Sequence, residues 1–148
     1  MKIVRTNSEN EDFINLVKKL DNYLKITDGD EHDFYNQFNN IDVLQHVIVI
    51  YNENVPVSCG AIKKFDAEAM EIKRMYVSEE FRGKGFAKKT LKELEVWANE
   101  IGYKKCVLET GKRQVEAVEF YHKCDYKVIP NYGQYKAMEN SICFEKIL

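Results

Sequence analysis

Apolar residues in the first part of the chain follow the spacing of helices. Residues 9–25 carry apolar side chains three and four positions apart, which predicts an amphipathic helix capped by Asn7 or Ser8. These apolar positions are Phe13, Leu16, Val17, Leu20 and Leu24. A second short helix is predicted over residues 31–38, where Phe34, Tyr35 and Phe38 share one face. Those three aromatic residues suit either the core or the wall of a substrate pocket.

The pattern then changes to that of strands. Residues 46–51 form a β-branched apolar run, as expected of a strand that is buried on both faces. A turn at residues 52–54 leads into a returning strand over residues 55–63, and a second turn at 65–68 leads into residues 70–77. Three strands joined by tight turns predict an antiparallel meander.

The second half of the chain alternates between the two periods. It predicts a helix that ends at Gly102, then a strand, a helix and two closing strands, at residues 87–101, 103–109, 114–123, 126–129 and 141–147. The fold class is therefore α/β, more strictly α+β. We expect a mixed, mostly antiparallel central sheet of about six to seven strands, flanked by about four helices.

Composition and charge restrict the class of protein. The chain has 148 residues and no linker-like segment, so we expect one domain spanning residues 1–148. A net charge of −2 argues against a nucleic-acid binder. No apolar run is long enough for a membrane span, and the N-terminus turns polar at Lys2, unlike a signal peptide. Four scattered cysteines lack metal-ligand spacing, so we expect no metal site and a reduced, cytoplasmic protein.

A glycine-rich turn joins the strand at residues 70–77 to the following helix. Gly83 and Gly85 allow successive N–H groups to converge at a helix N-terminus, and Arg82 and Lys84 add positive charge. This arrangement suits a phosphate group, although two glycines alone more often belong to a solvated connection. A Walker loop and a dinucleotide fingerprint each need a different residue at Lys88. Both motifs are therefore excluded.

The turn in its setting resembles the acetyl-CoA signature of the GNAT superfamily of N-acetyltransferases. That signature reads Gln or Arg, two residues, Gly, one residue, then Gly or Ala, and Arg82, Gly85 and Ala87 satisfy it. The order of helices and strands is similar as well. The resemblance therefore covers nearly the whole chain.

A second segment resembles another GNAT motif, N-x-x-A-x-x-x-Y followed by G-F or G-Y. Here Gln114, Ala117 and Tyr121 have the motif spacing, and Asp125 and Tyr126 follow. Gln114 replaces the usual Asn and Asp125 replaces the usual Gly. We expect Asp125 to accept the left-handed backbone angle that glycine adopts there.

The resemblance implies acetyl-CoA as co-substrate, with its pyrophosphate in the glycine turn. It also implies that the pantetheine arm bonds like an added strand to the main chain before the turn, beside a bulge. The N–H of Val77 would polarise the thioester carbonyl. Residues 75–77 fit an ordinary core strand too, and both interpretations hold together. The implied cofactor contacts are Met75, Tyr76, Val77, Arg82, Gly83, Lys84, Gly85, Phe86, Ala87, Lys88, Gln114 and Ala117.

Two residues are candidates for proton transfer. Tyr121 resembles the family's general acid, although a tyrosine on an inner helix face is more often part of a core. Glu71 resembles the glutamate that histone-acetylating members use as a base, and strand alternation predicts that it shares a face with Lys73, Met75 and Val77. The alternative for Glu71 is an exposed carboxylate paired with a neighbouring cation.

The implied reaction is direct acetyl transfer in a ternary complex. His122 is predicted at the surface, and nothing requires an acetyl-cysteine at Cys124. The expected acceptor is a primary amine of a small molecule or peptide, without nucleic-acid or membrane partners. Homodimers are common in the family. The alternative is a catalytically silent acyl-CoA-binding or regulatory module, whereas a tRNA-acetylating toxin should have a more basic surface.

The acceptor site is predicted from nearby aromatic and acidic residues. The candidate walls are Tyr23, Phe34, Tyr35, Phe38, Tyr132 and Tyr135. Acidic residues in the same region suit a cationic acceptor or serve as helix caps. They are Asp28, Asp30, Glu31 and Asp33.

Overall fold

The computed structural model describes residues 1–28 and 44–148. Its helices are α1 (Glu11–Asp28), α2 (Phe86–Glu100) and α3 (Val115–Lys123). Its strands are β1 (Lys2–Thr6), β2 (His46–Asn52), β3 (Val55–Lys64), β4 (Ala69–Val77), β5 (Lys105–Gly111), β6 (Lys127–Ile129) and β7 (Ser141–Ile147). Two short 3-10 helices cover Glu79–Phe81 and Gly133–Tyr135.

The strands form one mixed sheet in the order β1-β2-β3-β4-β5-β7-β6. Neighbouring strands are antiparallel except for β4 and β5, which run parallel. The predicted fold class is thus confirmed. The described ranges contain three α-helices where about four were expected, and the helix predicted at residues 31–38 lies outside them. None of the helices in these ranges has the length and apolarity needed to cross a membrane.

The first element of the chain is the strand β1, which the sequence did not predict. β1 is five residues long and lies at the sheet edge beside β2, where Lys2 and Arg5 are exposed. A short edge strand covers little apolar surface and leaves no clear hydrophobic alternation. The cap of α1 also differs. The Asn10 side chain accepts a hydrogen bond from the Phe13 N–H at 2.9 Å, whereas Asn7 bonds to the N–H of Glu9, before the helix.

The helices cover opposite faces of the sheet. Helix α1 packs through buried residues including Phe13, Leu16 and Val17 against the β2 and β3 side chains of one face. Helices α2 and α3 pack against the other face through residues including Leu91, Leu94 and Tyr121. Cys59, Cys106 and Cys143 are buried in these layers, and all four cysteines are free thiols.

A bulge interrupts β4 halfway along its length. Arg74 and Met75 together stand opposite the single residue Gly60 of β3, and Arg74 has a left-handed φ of 59°. The Arg74 side chain reaches Asp21 of α1 with a 2.7 Å ion pair. Met75 turns to the α2 face, where its sulfur would lie 2.6 Å from a Cβ placed on Gly60. Gly60 therefore makes room for the bulged strand.

The bulge overturns the predicted alternation along β4. An extra residue in a strand shifts every later side chain to the opposite face. Glu71 and Lys73 consequently share the α1 face with Arg74, and not with Met75. Val77 pairs with Ser58, whose hydroxyl lies 2.6 Å from that of Thr90 in α2, so Val77 also lies on the α2 face.

We predict that the pair between Arg74 and Asp21 stabilises the bulge. Replacing Asp21 with alanine leaves a guanidinium whose side chain is only 5% exposed without this partner, so the free energy of unfolding should fall by about 2 kcal/mol. Glu100→Ala removes an ion pair to the more exposed Arg5 and places alanine in a helix in the same way. Urea denaturation should show a much smaller effect for Glu100→Ala. Equal losses in the two variants would contradict the prediction.

Candidate active site

Strands β4 and β5 diverge after a short paired segment. Their register comprises three pairs, which end at Glu71 opposite Val107, although β4 continues to Val77 and β5 to Gly111. A cavity of about 120 Å³ opens between the diverging halves. Beyond Glu71, the main-chain groups on the β5 side of β4 therefore face a cleft, while the other side of β4 stays paired with β3.

The cleft brings together residues that are distant in sequence. Its α1 side is lined by Glu71, Lys73 and Arg74 of β4, with Leu20 and Leu24 of α1 and Tyr135. Its other side is lined by residues at the start and along the inner face of α3. Six of the residues predicted from the sequence meet here, namely Glu71, Met75, Gln114, Ala117, Tyr121 and Tyr135.

Glu71 is a buried carboxylate. It is 9% exposed, and its Oε2 accepts a 2.7 Å hydrogen bond from the hydroxyl of Tyr132. The alternative of an exposed strand carboxylate is therefore wrong. Burial also lowers the pKa of the neighbouring Lys73, against the opposing influence of Glu71 and Glu109. The α1 side of the cleft thus holds closely spaced ionisable groups at low solvent access.

Tyr121 lies on the opposite side of the cleft. It is 7% exposed, and its ring packs edge-on against those of Phe120 and Tyr126. Burial raises the pKa of Tyr121 above its ordinary value, so the phenol is protonated throughout the neutral range. His122 is exposed, and burial raises the pKa of the Cys124 thiol. A higher thiol pKa means less thiolate, which disfavours Cys124 as a nucleophile.

The glycine-rich turn begins where β4 ends. Gly83 and Gly85 have φ values of 75° and 88°, and a Cβ added to either would meet no atom within 4 Å. Backbone conformation, and not crowding, therefore selects glycine here. Gly85 occupies the N-cap of α2 in the left-handed conformation and has no side chain to cap the helix. The first N–H groups of α2 therefore receive no side-chain cap from this position.

Arg82 anchors the turn to the end of β4. Its Nε donates a 3.1 Å hydrogen bond to the carbonyl oxygen of Val77, and its guanidinium lies over the rings of Tyr23 and Tyr76. Tyr23 thus lies against Arg82, and it is not among the residues that line the cleft. Lys84 lies over Phe81. The side chains of Lys84 and Lys88 are exposed beside the turn.

The second motif adopts the expected backbone despite its departures. Gln114 occupies the N-cap of α3, and its N–H donates to the carbonyl oxygen of Gly111 at 3.0 Å. Asp125 has a φ of 70°, which confirms that aspartate adopts the left-handed angle of the usual glycine. The main chain around Tyr121 is thus preserved with Asp125 in place.

Glu109 is a further residue of the cleft that the sequence analysis did not single out. It lines the cavity from β5, and its Oε2 accepts a 2.7 Å hydrogen bond from the hydroxyl of Ser141. A carboxylate directly after the apolar residues 106–108 was the available signal, because burying such a group is costly without partners. Of the acidic residues predicted near the acceptor, Asp30, Glu31 and Asp33 lie outside the described ranges.

Comparison with known proteins identifies the family. The model of the acetyltransferase (GNAT) family matches residues 11–126. The chain belongs to this family. The GNAT chain is 32% identical over 92 residues to an uncharacterized N-acetyltransferase, YsnE, of Bacillus subtilis (strain 168). That match covers 61% of each chain, so it spans less than two thirds of the relative's length.

Solved structures share the complete GNAT fold. A Klebsiella pneumoniae protein provisionally assigned as an acyl-CoA N-acyltransferase superposes with a TM-score of 0.83 at 25% identity, covering 99% of this chain and 97% of its own. A GNAT family acetyltransferase from Elizabethkingia anophelis, solved with acetyl-CoA bound, gives a TM-score of 0.73 at 19% identity. It covers 99% of this chain and 97% of its own. At this identity, the similarity to the Elizabethkingia anophelis protein shows a shared fold.

Proposed function

We propose that the protein transfers the acetyl group of acetyl-CoA to a primary amine of a small molecule or peptide, directly within a ternary complex. The observation that carries this proposal is the cleft between β4 and β5. It places the buried carboxylate of Glu71 on one side and the protonated phenol of Tyr121 on the other. A base for the acceptor and a hydrogen-bond donor for the leaving group thus flank one gap in the sheet.

The glycine turn would hold the pyrophosphate of acetyl-CoA. The turn leads into the N-terminus of α2, where the helix dipole favours an anion, and Arg82 and Lys84 add charge. From there the pantetheine arm would run along the side of β4 that has separated from β5, bonding to the main chain of Met75, Tyr76 and Val77. Family membership and the fold shared with an acetyl-CoA-bound acetyltransferase support this placement.

Gln114 and Ala117 would form the opposite wall of the pantetheine channel. Both line the cleft at the start of α3, across from Met75. The small side chain of Ala117 leaves width in the cleft, and the amide of Gln114 offers a donor and an acceptor. This wall would hold the thioester between the two proton-handling groups.

Glu71 would act on the acceptor. An alkyl ammonium group has a pKa near 10, so it must lose a proton before its nitrogen can attack. The carboxylate of Glu71 takes that proton, directly or through a water molecule. The nitrogen then forms a bond to the thioester carbonyl carbon, while the Val77 N–H stabilises the developing charge on oxygen. Collapse breaks the carbon–sulfur bond, the nitrogen gives up its second proton to water, and the neutral amide and the coenzyme A thiolate are released.

Tyr121 would act on the sulfur. A typical thiol has a pKa of about 8.5, and burial raises the pKa of Tyr121 above the ordinary tyrosine value of about 10. Full transfer of the phenolic proton to the thiolate is therefore unfavourable at equilibrium. Tyr121 stabilises the departing thiolate chiefly by donating a hydrogen bond, and the thiolate takes its proton from solvent.

Replacing Gly85 with alanine should weaken acetyl-CoA binding. An L-residue in the left-handed conformation costs about 1–2 kcal/mol, and relaxation would turn the neighbouring N–H groups away from the phosphates. Loss of one such charge-assisted bond should raise the Kd about ten-fold in calorimetry. Gly102→Ala is the matched control, since Gly102 also has a positive φ, of 101°, with open space around it. A similar loss of affinity in the control would refute the assignment.

Removing the Tyr121 hydroxyl should slow the chemical step. For Tyr121→Phe we expect kcat to fall about 100-fold, as for loss of one transition-state hydrogen-bond donor, with the Kd for acetyl-CoA unchanged. Tyr103→Phe removes a phenol outside the cleft and should leave kcat unaltered. Unchanged turnover in Tyr121→Phe would exclude the proposed role.

Replacing Glu71 with glutamine should produce a defect that depends on pH. At neutral pH, kcat/KM should fall about 100-fold, and the deficit should shrink toward pH 10 because the acceptor ammonium then loses its proton to solvent without help. Glu145→Gln provides a control, since this carboxylate of β7 pairs with Lys105 away from the cleft. A deficit that stays constant from pH 6 to 10 would argue against Glu71 as the base.

Thiol release tests the function as a whole. The protein is incubated with acetyl-CoA and a panel comprising putrescine, tyramine, glycinamide and a lysine-containing tripeptide, and free coenzyme A is measured. We expect release that depends on one or more of these amines. Tight acetyl-CoA binding without release across a wider amine library would instead support a catalytically silent acyl-CoA-binding module.

A further inference from the structure

Tyr132 contacts Glu71 from a segment 61 residues away in sequence. Its hydroxyl donates a 2.7 Å hydrogen bond to Oε2 of Glu71. The ring is held edge-on by Phe65, at 4.7 Å between centroids, and by Tyr135, at 5.9 Å. Phe65 follows β3 directly, and Tyr135 belongs to the 3-10 helix after Tyr132. The phenol is therefore fixed from both sides before any substrate binds.

The segment between β6 and β7 is itself tightly folded. The side-chain nitrogen of Asn131 lies within 3.1–3.2 Å of the carbonyl oxygens of Tyr135, Met138 and Ser141, so its two hydrogens are shared among three acceptors. Tyr135 and Cys143 form a small buried cluster beneath this segment. The position of the Tyr132 hydroxyl is thus set by a local framework and not by Glu71 alone.

We infer that Tyr132 is a positioning residue for Glu71: its hydroxyl holds Oε2 of the carboxylate in place, so that Oε1 receives the proton of the acceptor amine. This inference rests on the proposed function, in which Glu71 is the base. A hydrogen bond donated to a carboxylate favours its charged form and fixes its rotamer. Both effects suit Glu71 to accept a proton from an acceptor amine that approaches from one side.

Tyr132 is suited to donate a hydrogen bond without giving up its proton. Burial raises the pKa of its phenol, and the adjacent carboxylate of Glu71 raises it further. The hydroxyl hydrogen therefore stays on Tyr132 throughout the neutral range. Tyr132 itself does not take part in proton transfer.

Other ionisable groups also face Glu71 and Tyr132. They come from β3, β4, β5, β7 and the 3-10 helix, and they are Lys63, Lys73, Arg74, Glu109, Tyr135 and Cys143. From α1, Asp21 reaches this face through its ion pair with Arg74. The pH profile of a single variant would therefore not identify which of these groups caused a change. Comparing variants that differ only in the Tyr132 hydroxyl cancels these contributions.

A double-mutant cycle tests the inference. kcat/KM is measured from pH 5 to 10, with the panel amine that gives the highest turnover, for the wild type, Tyr132→Phe, Glu71→Gln and the double variant. In Tyr132→Phe the acid limb should move up by roughly half to one pH unit, and activity on that limb should fall about three- to ten-fold. In the Glu71→Gln background the same substitution should have no further effect.

Two controls separate positioning from folding. Tyr51→Phe removes another tyrosine hydroxyl that donates to a carboxylate, that of Asp12 at 2.6 Å, and should leave the pH profile unchanged. The Kd for acetyl-CoA should be the same in the wild type and Tyr132→Phe. A uniform loss at every pH and in both backgrounds would make Tyr132 a packing residue and overturn the inference.

The remaining outcomes distinguish the inference from the proposed function. If Glu71→Gln abolishes the acid limb but Tyr132→Phe leaves it in place, Glu71 remains the base and the positioning role is wrong. If Glu71→Gln retains the wild-type limb, Glu71 is not the base, and the role of Tyr132 fails with it.

Discussion

The divergence of β4 from β5 is the constraint on which the rest of the site depends. Two parallel strands that stayed paired to their ends would use their facing main-chain groups in hydrogen bonds to each other. Here the pairing stops at Glu71 and Val107, and the bulge at Arg74 and Met75 bends β4 away. The bulge is stable because Gly60 leaves space for Met75 and because Asp21 pairs with Arg74. A gap lined by backbone donors and acceptors results, open to both faces of the sheet.

The same gap separates two electrostatic environments. On the α1 face, Glu71, Glu109 and Lys73 lie close together, held by hydrogen bonds from Tyr132 and Ser141. On the α3 face, Tyr121 is surrounded by aromatic rings, and burial keeps it protonated. Groups with opposite proton-handling tendencies thus meet across one cleft without touching. The proposed mechanism uses this separation, because the acceptor must lose a proton while the leaving sulfur needs a donor.

Most of the fold was predictable because its strands and helices carry strong periodic patterns. The meander of β2, β3 and β4 and the amphipathic helix α2 agree with the sequence to within a few residues. The edge strand β1 was missed because a strand with little covered surface needs no regular apolar alternation. The faces of Met75 and Val77 were assigned wrongly because a bulge inserts one residue without any signal in local composition. Arg74 is not glycine, yet it adopts the left-handed conformation, since its ion pair and the surrounding sheet hold it there.

The sequence by itself determined the glycine turn, the amphipathic helix that follows it and the motif that places Tyr121. These features depend on local backbone preferences and on periodicity, which neighbouring residues encode. Only the tertiary structure decided that Glu71 is buried, that Tyr132 donates to it, and that Glu109 lines the same cleft. Such contacts join strands and loops far apart in the chain. Their geometry follows from the strand order, the bulge and the packing of the segment between β6 and β7, none of which a local pattern can specify.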